Sequence, residues 1–448
     1  MAAFRDIDVS QGAENLKTLP DTYRELESRI AGGEARVCVV GLGTAGLPFL
    51  AVVAAAGFPA VGVDINEGLV EAINRGEPPP TDADVDLLGR LVEQRRLLAT
   101  TDFSVLAEQD CIVVSVPTSS SAEGEPELGA VTSVAQKAAL WLRRGQLIVI
   151  ESTVPPGTTR GVVLPILESG GLRVGSDFFL AFSPERIDPG NASFSVHDIP
   201  KVVGGVTGAC TSVAARFYAR VVAEVYPVSS PEVAETAKVF ENTFRFVNIS
   251  LANELSQVCD SLGISASEVL DAASTKPFAF MRHSPGPGVG GRCLTMASHY
   301  FRWAAERHGA DSRIVNAAIE LNALIPELLA KEVLGAGGES ATGGKPSVLL
   351  IGMAYKPGVS DYRGSTAPVV ASVLKRAGAV VQFHDPLVPA VTIDGEELTS
   401  LPLTPEVVRK ADCVVVLCPH RSIDYDAIRT YARRIVDPTN TVGGRQRG

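Results

Sequence analysis

Val37-Cys38-Val39-Val40-Gly41-Leu42-Gly43-Thr44-Ala45-Gly46 reads as an apolar strand running straight into a glycine turn, and a helical run over 47–56 follows it. In that context each glycine has its own task. The first permits the tight turn, the second lets backbone approach a pyrophosphate, and the third lets the helix pack on the strand. The helix N-terminus adds free amides and a positive dipole end for an anion. Asp64 closes the next strand, Ala60-Val61-Gly62-Val63. A carboxylate there accepts hydrogen bonds from the adenosine ribose hydroxyls and repels a 2′-phosphate. The stretch predicts a dinucleotide-binding α/β domain that takes NAD, with Gly41, Gly43, Thr44, Ala45, Gly46 and Asp64 as cofactor-binding residues.

Outward from this turn, short apolar runs alternate with amphipathic stretches to about residue 228, the pattern of a parallel sheet with helical crossovers. Strands are expected at 36–41, 60–64, 111–116, 146–151, 178–182 and 201–203. Two of them end in Val116-Pro117-Thr118 and Glu151-Ser152-Thr153-Val154-Pro155, at the carboxyl edge where doubly wound sheets hold ligands. Pro117, Thr118, Glu151 and Thr153 are therefore cofactor-cleft candidates, although a polar strand end with a proline stop explains each equally well. From 231 the period turns helical, with Val233, Ala237, Phe240 and Phe244 spaced by three and four. A glycine-rich linker over 335–345 opens a second alternating block at Ser347-Val348-Leu349-Leu350-Ile351-Gly352, continuing at 380–384, 412–418 and 434–437. The fold class expected is α/β: two Rossmann-like doubly wound domains joined by a central helical segment. Its parts are an N-terminal extension at 1–35, read as an appended arm with a helical stretch at 26–30, an NAD-binding domain at 36–228, a helical segment at 229–335 and a C-terminal domain at 336–448.

Composition agrees with an enzyme of this kind. The chain has 448 residues, 46% of them hydrophobic and 20% charged, with a net charge of -11. That balance argues against nucleic acid as a partner, whereas small phosphate-bearing molecules need only local amides and single cations. No run of about 18 apolar residues suggests a membrane span, and residues 1–34 lack an apolar signal core, so a cytoplasmic location is expected. The seven cysteines are scattered and several sit in strand-like runs, which reads as reduced and mostly buried, with no metal site.

Cys293 stands apart from the other six. It follows Gly286-Pro287-Gly288-Val289-Gly290-Gly291-Arg292, a run in which backbone and ligand can approach closely. A thiol near a nicotinamide can capture an aldehyde, and the thiohemiacetal can then be oxidised to a thioester. A lone cysteine is more often a small core residue, and the glycine run is what favours the functional reading. Lys238 and Asn242, at i and i+4, share a helix face, where a lysine could stabilise an oxyanion and an asparagine could place substrate or water. A solvated lysine is the plain alternative.

Taken together the segments resemble the UDP-glucose/GDP-mannose dehydrogenase family, NAD-dependent nucleotide-sugar 6-dehydrogenases, over about residues 36–440. The resemblance rests on the glycine turn, Val116-Pro117-Thr118 and the run Glu151-Ser152-Thr153-Val154-Pro155-Pro156-Gly157-Thr158-Thr159. It continues through Ser183-Pro184-Glu185-Arg186, Lys238, Glu241-Asn242-Thr243-Phe244-Arg245, the Cys293 loop, and Gly352-Met353-Ala354-Tyr355-Lys356-Pro357 with Asp361 and Arg363. The motifs at 183–191 and 199–205 look like the branch acting on UDP-N-acetylhexosamines. What the resemblance implies is C6 oxidation of a UDP-linked sugar to a uronic acid with two NAD consumed, and a homodimer or higher oligomer. It also implies site roles: Cys293 as nucleophile, Lys238 as oxyanion and water partner, Asn242 and Thr118 as positioning groups, and Glu185 as acid/base carboxylate. Lys356 and Arg363 would contact the nucleotide-sugar, with Arg186, Arg245 and Gly290 alongside.

The chain also departs from the family pattern. Ala297 stands where an aspartate usually follows the cysteine by four residues, Arg292 replaces the usual His, Ser or Tyr before it, and Gly364 replaces a glutamate after Arg363. Thr44-Ala45 takes the place of the commoner Tyr-Val. An acid one turn from the thiol could assist proton transfer, commonly worth about 10² to 10⁴ in rate. Without it three readings stay open: full oxidation with another group in that role, a single oxidation or an unusual sugar nucleotide, or a silent nucleotide-sugar-binding protein. Arg292 is expected to favour the thiolate by placing a cation beside it.

Overall fold

The computed structural model describes residues 19–77, 85–121, 123–187, 194–335 and 344–442. Asp188-Pro189-Gly190-Asn191 and most of the glycine-rich linker at 335–345 lie outside them. The chain forms two compact units, one from Met1–Phe240 with His299–Ala304, the other from Glu241–Ser298 with Ala305–Gly448. All three boundaries fall inside helices, one in Pro231–Leu262 and two in Arg292–Arg307.

The first unit is built on an eight-stranded sheet. Val37–Val40 pairs in parallel with Ala60–Val63 on one side and Cys111–Val114 on the other, which puts a topological switch point at the glycine turn. Leu97–Thr100 extends one wing, and Leu147–Ile150 and Phe179–Phe182 extend the other, all in parallel. These central strands are apolar along their whole length because both faces are covered, as buried parallel strands must be.

The expectation of a purely parallel sheet is corrected at one place: Lys201–Gly205 runs antiparallel to Phe179–Phe182, with Val225–Val228 parallel to it at the edge. Among the described residues between the antiparallel strands there is only a short turn, Val196–Asp198, and no crossover helix. A parallel neighbour would need that helix to carry the chain back.

The appended arm is also corrected. Residues 21–32 form a helix, Asp21–Gly32, whose Tyr23, Leu26 and Ile30 are buried in the main core of this unit. Each such side chain contributes about 1.5–3 kcal/mol of burial. Arg29 reaches the buried Asp110 at 3.0 Å, and Arg143 meets the same carboxylate at 2.8 Å.

The second unit holds a four-stranded parallel sheet in the order Val380–His384, Ser347–Ile351, Cys413–Val416, Ile435–Val436. A hairpin, Ala390–Ile393 with Glu396–Thr399, lies beside it. Its helices include Ala266–Ser274, the part of the 32-residue helix Pro231–Leu262 beyond Phe240, Arg313–Gly335, Ala367–Arg376, Pro405–Lys410 and Tyr425–Tyr431. The apolar period that locates the long helix does not face a core. Val233, Phe240 and Phe244 are exposed, while Ala234, Val239 and Phe246 are buried.

Candidate active site

The glycine turn is shaped to leave room for a ligand. Gly41 has φ +94°, and a Cβ on it would fall 2.4 Å from the Ser115 carbonyl oxygen. A Cβ on Gly46 would fall 1.8 Å from the Gly41 oxygen, so strand and helix touch through hydrogen atoms alone. Around the Cβ position of Gly43 there is nothing within 4 Å. Gly43 and Thr44 are exposed, Ala45 is half-buried, and no side chain caps the helix Gly46–Ala55 that begins there. Asp64 accepts the Leu42 N–H on one oxygen at 2.8 Å and the Asn66 N–H on the other at 2.9 Å. A carboxylate has about four acceptor sites, so each oxygen keeps one for a ribose hydroxyl. These residues fit a dinucleotide.

The two loops expected at the carboxyl edge are stitched together. Thr118 Oγ1 donates to the Thr153 carbonyl at 2.7 Å, and Ser152 Oγ accepts from the Val116 N–H at 2.9 Å and donates to the Val116 carbonyl at 2.8 Å. Pro117 is exposed beside them. The loop's far end is held from the long helix, where the buried Glu235 accepts the Gly157 N–H at 2.6 Å and the Thr159 N–H at 2.8 Å. Burial pushes the Glu235 carboxyl up to about 7, against the pull of those hydrogen bonds.

Glu151 requires a correction. Its carboxylate does not open onto the cofactor cleft: it is buried, with Oε1 taking Lys201 Nζ at 2.7 Å and the Tyr218 hydroxyl at 2.6 Å. Lys201 also meets Glu185 at 3.1 Å, so the two carboxylates share one buried ammonium. Arg186 turns its guanidinium to the Pro200 carbonyl at 2.9 Å. Lys201 and Tyr218 were absent from the site as read from sequence. A lysine opening the apolar strand Lys-Val-Val-Gly-Gly was the signal for the first, and nothing marked the second.

In the second unit Cys293 is exposed in the first turn of the helix Arg292–Arg307, whereas the other six cysteines are buried. Asn242 is buried, and its Nδ2 donates to the Cys293 carbonyl at 3.4 Å. The glycine loop rests on the chain after Arg363: the Gly291 N–H donates to the Gly364 carbonyl at 2.8 Å. A Cβ on Gly291 would come 3.1 Å from the Tyr355 ring, next to the half-buried Lys356. Arg363 grips Asp361 through both carboxylate oxygens at 2.9 Å, and this hydrogen-bonded pairing lowers the Asp361 carboxyl. Arg292 adds its own pull on Asp361, so its guanidinium lies within electrostatic reach of that acid. Ala297 is fully buried, and Arg245 is exposed on the long helix. Lys238 and Asn242 occupy successive turns of that helix. A cleft of about 860 Å³ in this unit, lined by Asn253, Asp260, Glu332 and Arg434 among others, contains none of the expected site residues.

The models of three successive segments of one family match the chain: the NAD binding domain over residues 35–222, the central domain over 232–324 and the UDP binding domain over 349–446. The chain belongs to the UDP-glucose/GDP-mannose dehydrogenase family. It is similar to an NDP-N-acetyl-D-galactosaminuronic acid dehydrogenase from Ralstonia solanacearum, with 32% identity covering 90% of this chain and 95% of that one. It is similar too to a UDP-N-acetyl-D-glucosamine 6-dehydrogenase from Pseudomonas aeruginosa, at 34% identity over 80% of this chain and 84% of the relative. Among solved structures, a UDP-D-ManNAc dehydrogenase from Pyrococcus horikoshii superposes with a TM-score of 0.82 at 30% identity, covering 90% of this chain and 95% of that one.

As a UDP-glucose/GDP-mannose dehydrogenase family member, the protein is an NAD-dependent oxidoreductase acting on C6 of a nucleotide-sugar, and its C-terminal sheet belongs to the UDP-binding domain. The match across all three segments favours the full-oxidation reading over a silent binding protein. No helix among the described residues is long and apolar enough to cross a membrane.

Proposed function

We propose that this dehydrogenase oxidises C6 of a UDP-N-acetylhexosamine to the uronic acid through a covalent adduct on Cys293. The observation that carries the reading is the exposure of Cys293 alone among seven cysteines, at a helix start whose preceding glycine loop is pinned by the Gly364 carbonyl. NAD, when bound, supplies the acceptor for both oxidations. Cys293 Sγ adds to the C6 aldehyde, giving a thiohemiacetal, and water cleaves the thioester that its oxidation leaves. Asn242 fixes the backbone of the thiol, and Lys238, one turn earlier on its helix, supplies a cation for the oxyanion. Glu185 takes up a proton in these steps, while Lys356 and Arg363 hold the nucleotide-sugar. The substrate branch rests on the N-acetylhexosamine dehydrogenases among its relatives.

We further read the protein as a homodimer or larger homo-oligomer. Phe244, Leu251, Val258 and Leu262 are all exposed along the long helix from Phe244 to its end. Their spacing of seven, seven and four residues aligns them as an apolar stripe, which is unusual on a monomer surface.

The test is to incubate the purified protein with NAD and a panel of UDP-, GDP- and dTDP-sugars, measuring NADH per sugar and product mass. Two NADH and an acid from a UDP-N-acetylhexosamine are expected. One NADH with an aldehyde would overturn full oxidation, and acid formation by Cys293→Ala would overturn the covalent route.

A further inference from the structure

Lys201 opens the strand Lys201–Gly205 and is only 3% exposed. Its ammonium has three acceptors, Glu151 Oε1 at 2.7 Å, Glu185 Oε2 at 3.1 Å and the Pro184 carbonyl at 3.4 Å, so all three protons are used. The rings of Phe49 and Tyr218 lie 5.0 and 5.3 Å from Nζ. Burial alone would depress this lysine, but the two carboxylates outweigh it and raise its pKa, so the charge is retained.

Two carboxylates around one buried ammonium would leave an excess negative charge. Glu151 is the one placed to shed it. It is fully buried, burial pushes its carboxyl up against the pull of Lys201, and its Oε2 has no hydrogen-bond partner among the described residues. With a proton on that oxygen, Oε1 still accepts from Lys201 and Tyr218, and Lys201 becomes the counter-ion of Glu185 alone.

Glu185 is then determined atom by atom. Oε1 accepts two backbone N–H groups, from Arg186 at 2.6 Å and Ile187 at 2.7 Å. Oε2 accepts Lys201. Of about four acceptor sites on a carboxylate, one is left among the described residues, and it is on Oε2.

We propose that Lys201 is a positioning residue for the reaction: it fixes Glu185 so that a single lone pair of Oε2 is offered to the substrate hydroxyl or to the water that reacts at C6. The inference rests on the acid/base reading of Glu185, and Glu151 and Tyr218 are the other titratable groups on the lysine.

The test uses the full-length protein as Lys201→Met, Lys201→Gln and Glu185→Gln. Thermal unfolding and NAD affinity report the fold, while kcat and KM for the sugar nucleotide report the chemistry. Both lysine variants should bind NAD as wild type does and lose kcat by about 10- to 100-fold, with KM for the sugar nucleotide unchanged. Glu185→Gln should lose as much. Wild-type kcat in the lysine variants, with Glu185→Gln impaired, overturns the role of Lys201 and leaves that of Glu185 standing. Wild-type kcat in Glu185→Gln overturns the acid/base reading itself. Should Lys201→Met fail to fold, Lys201→Gln, which keeps hydrogen bonding without the charge, decides on the same outcomes.

Discussion

A Cβ on Gly364 would lie 3.2 Å from Arg292 Cγ and 3.3 Å from the Arg292 backbone nitrogen. The arginine before the thiol and the glycine after Arg363 are two departures from the family pattern, and they meet in space. Glycine at 364 makes room for the longer side chain at 292, and its φ of +73° is one that other residues adopt only under strain.

Gly364→Ala should therefore lower stability by about 1–2 kcal/mol, and Gly364→Glu by more, since left-handed backbone and a contact under 3.4 Å act together. Denaturant unfolding measures it. Arg292→Gly added to Gly364→Glu should recover the cost of the side-chain contact, but neither that of the backbone nitrogen contact nor the backbone strain. Single variants unfolding at the wild-type midpoint would show that the two positions are not coupled.

Arg363 holds Asp361 with two parallel hydrogen bonds, a geometry that lysine cannot reproduce. Steady-state kinetics of Arg363→Lys should show KM for the nucleotide-sugar raised about tenfold or more, with KM for NAD unchanged. An equal rise in both constants would mean that the pair supports the fold and not the sugar site.

Ala297 is 0% exposed. Restoring the family's acid with Ala297→Asp buries a carboxylate, and we expect a loss of at least about 2 kcal/mol and no gain in rate. A faster enzyme of unchanged stability would show that a carboxylate at this position reaches the thiol without desolvation.

Glu235 gives stability a pH dependence of known sign. Its folded pKa, about 7, is above the ordinary 4.5. The folded protein therefore keeps a proton that the unfolded chain has released, and stability falls as pH rises from about 4.5 through 7. Denaturant midpoints across this range should decline in the wild type by more than in Glu235→Gln. Parallel pH curves for the two would exclude Glu235 as the source.

Much of this protein is legible along the chain. The strand, glycine turn and helix at 37–55 carry their own explanation, and so do most sheet strands, because a strand covered on both faces must be apolar throughout. Two of the missed strands are edge strands with weaker signals. Leu97–Thr100 exposes Leu98, and Val225–Val228 contains Pro227, which a central strand would not tolerate. The hairpin at 390–399 was missed too, although its Asp394-Gly395, both at positive φ, is a two-residue hairpin turn.

By itself the sequence determined the two local devices, a glycine turn shaped for a dinucleotide and a thiol placed after a glycine loop. Both depend on residues within one short stretch, where backbone freedom is set by residue type. Only the tertiary structure decided that the 21–32 helix joins the core, that Gly364 answers Arg292, and that Glu151 and Glu185 share Lys201. Those relations join residues far apart in sequence, and a Coulomb interaction or a steric contact depends on distance through space, which the spacing of residues along a chain does not encode.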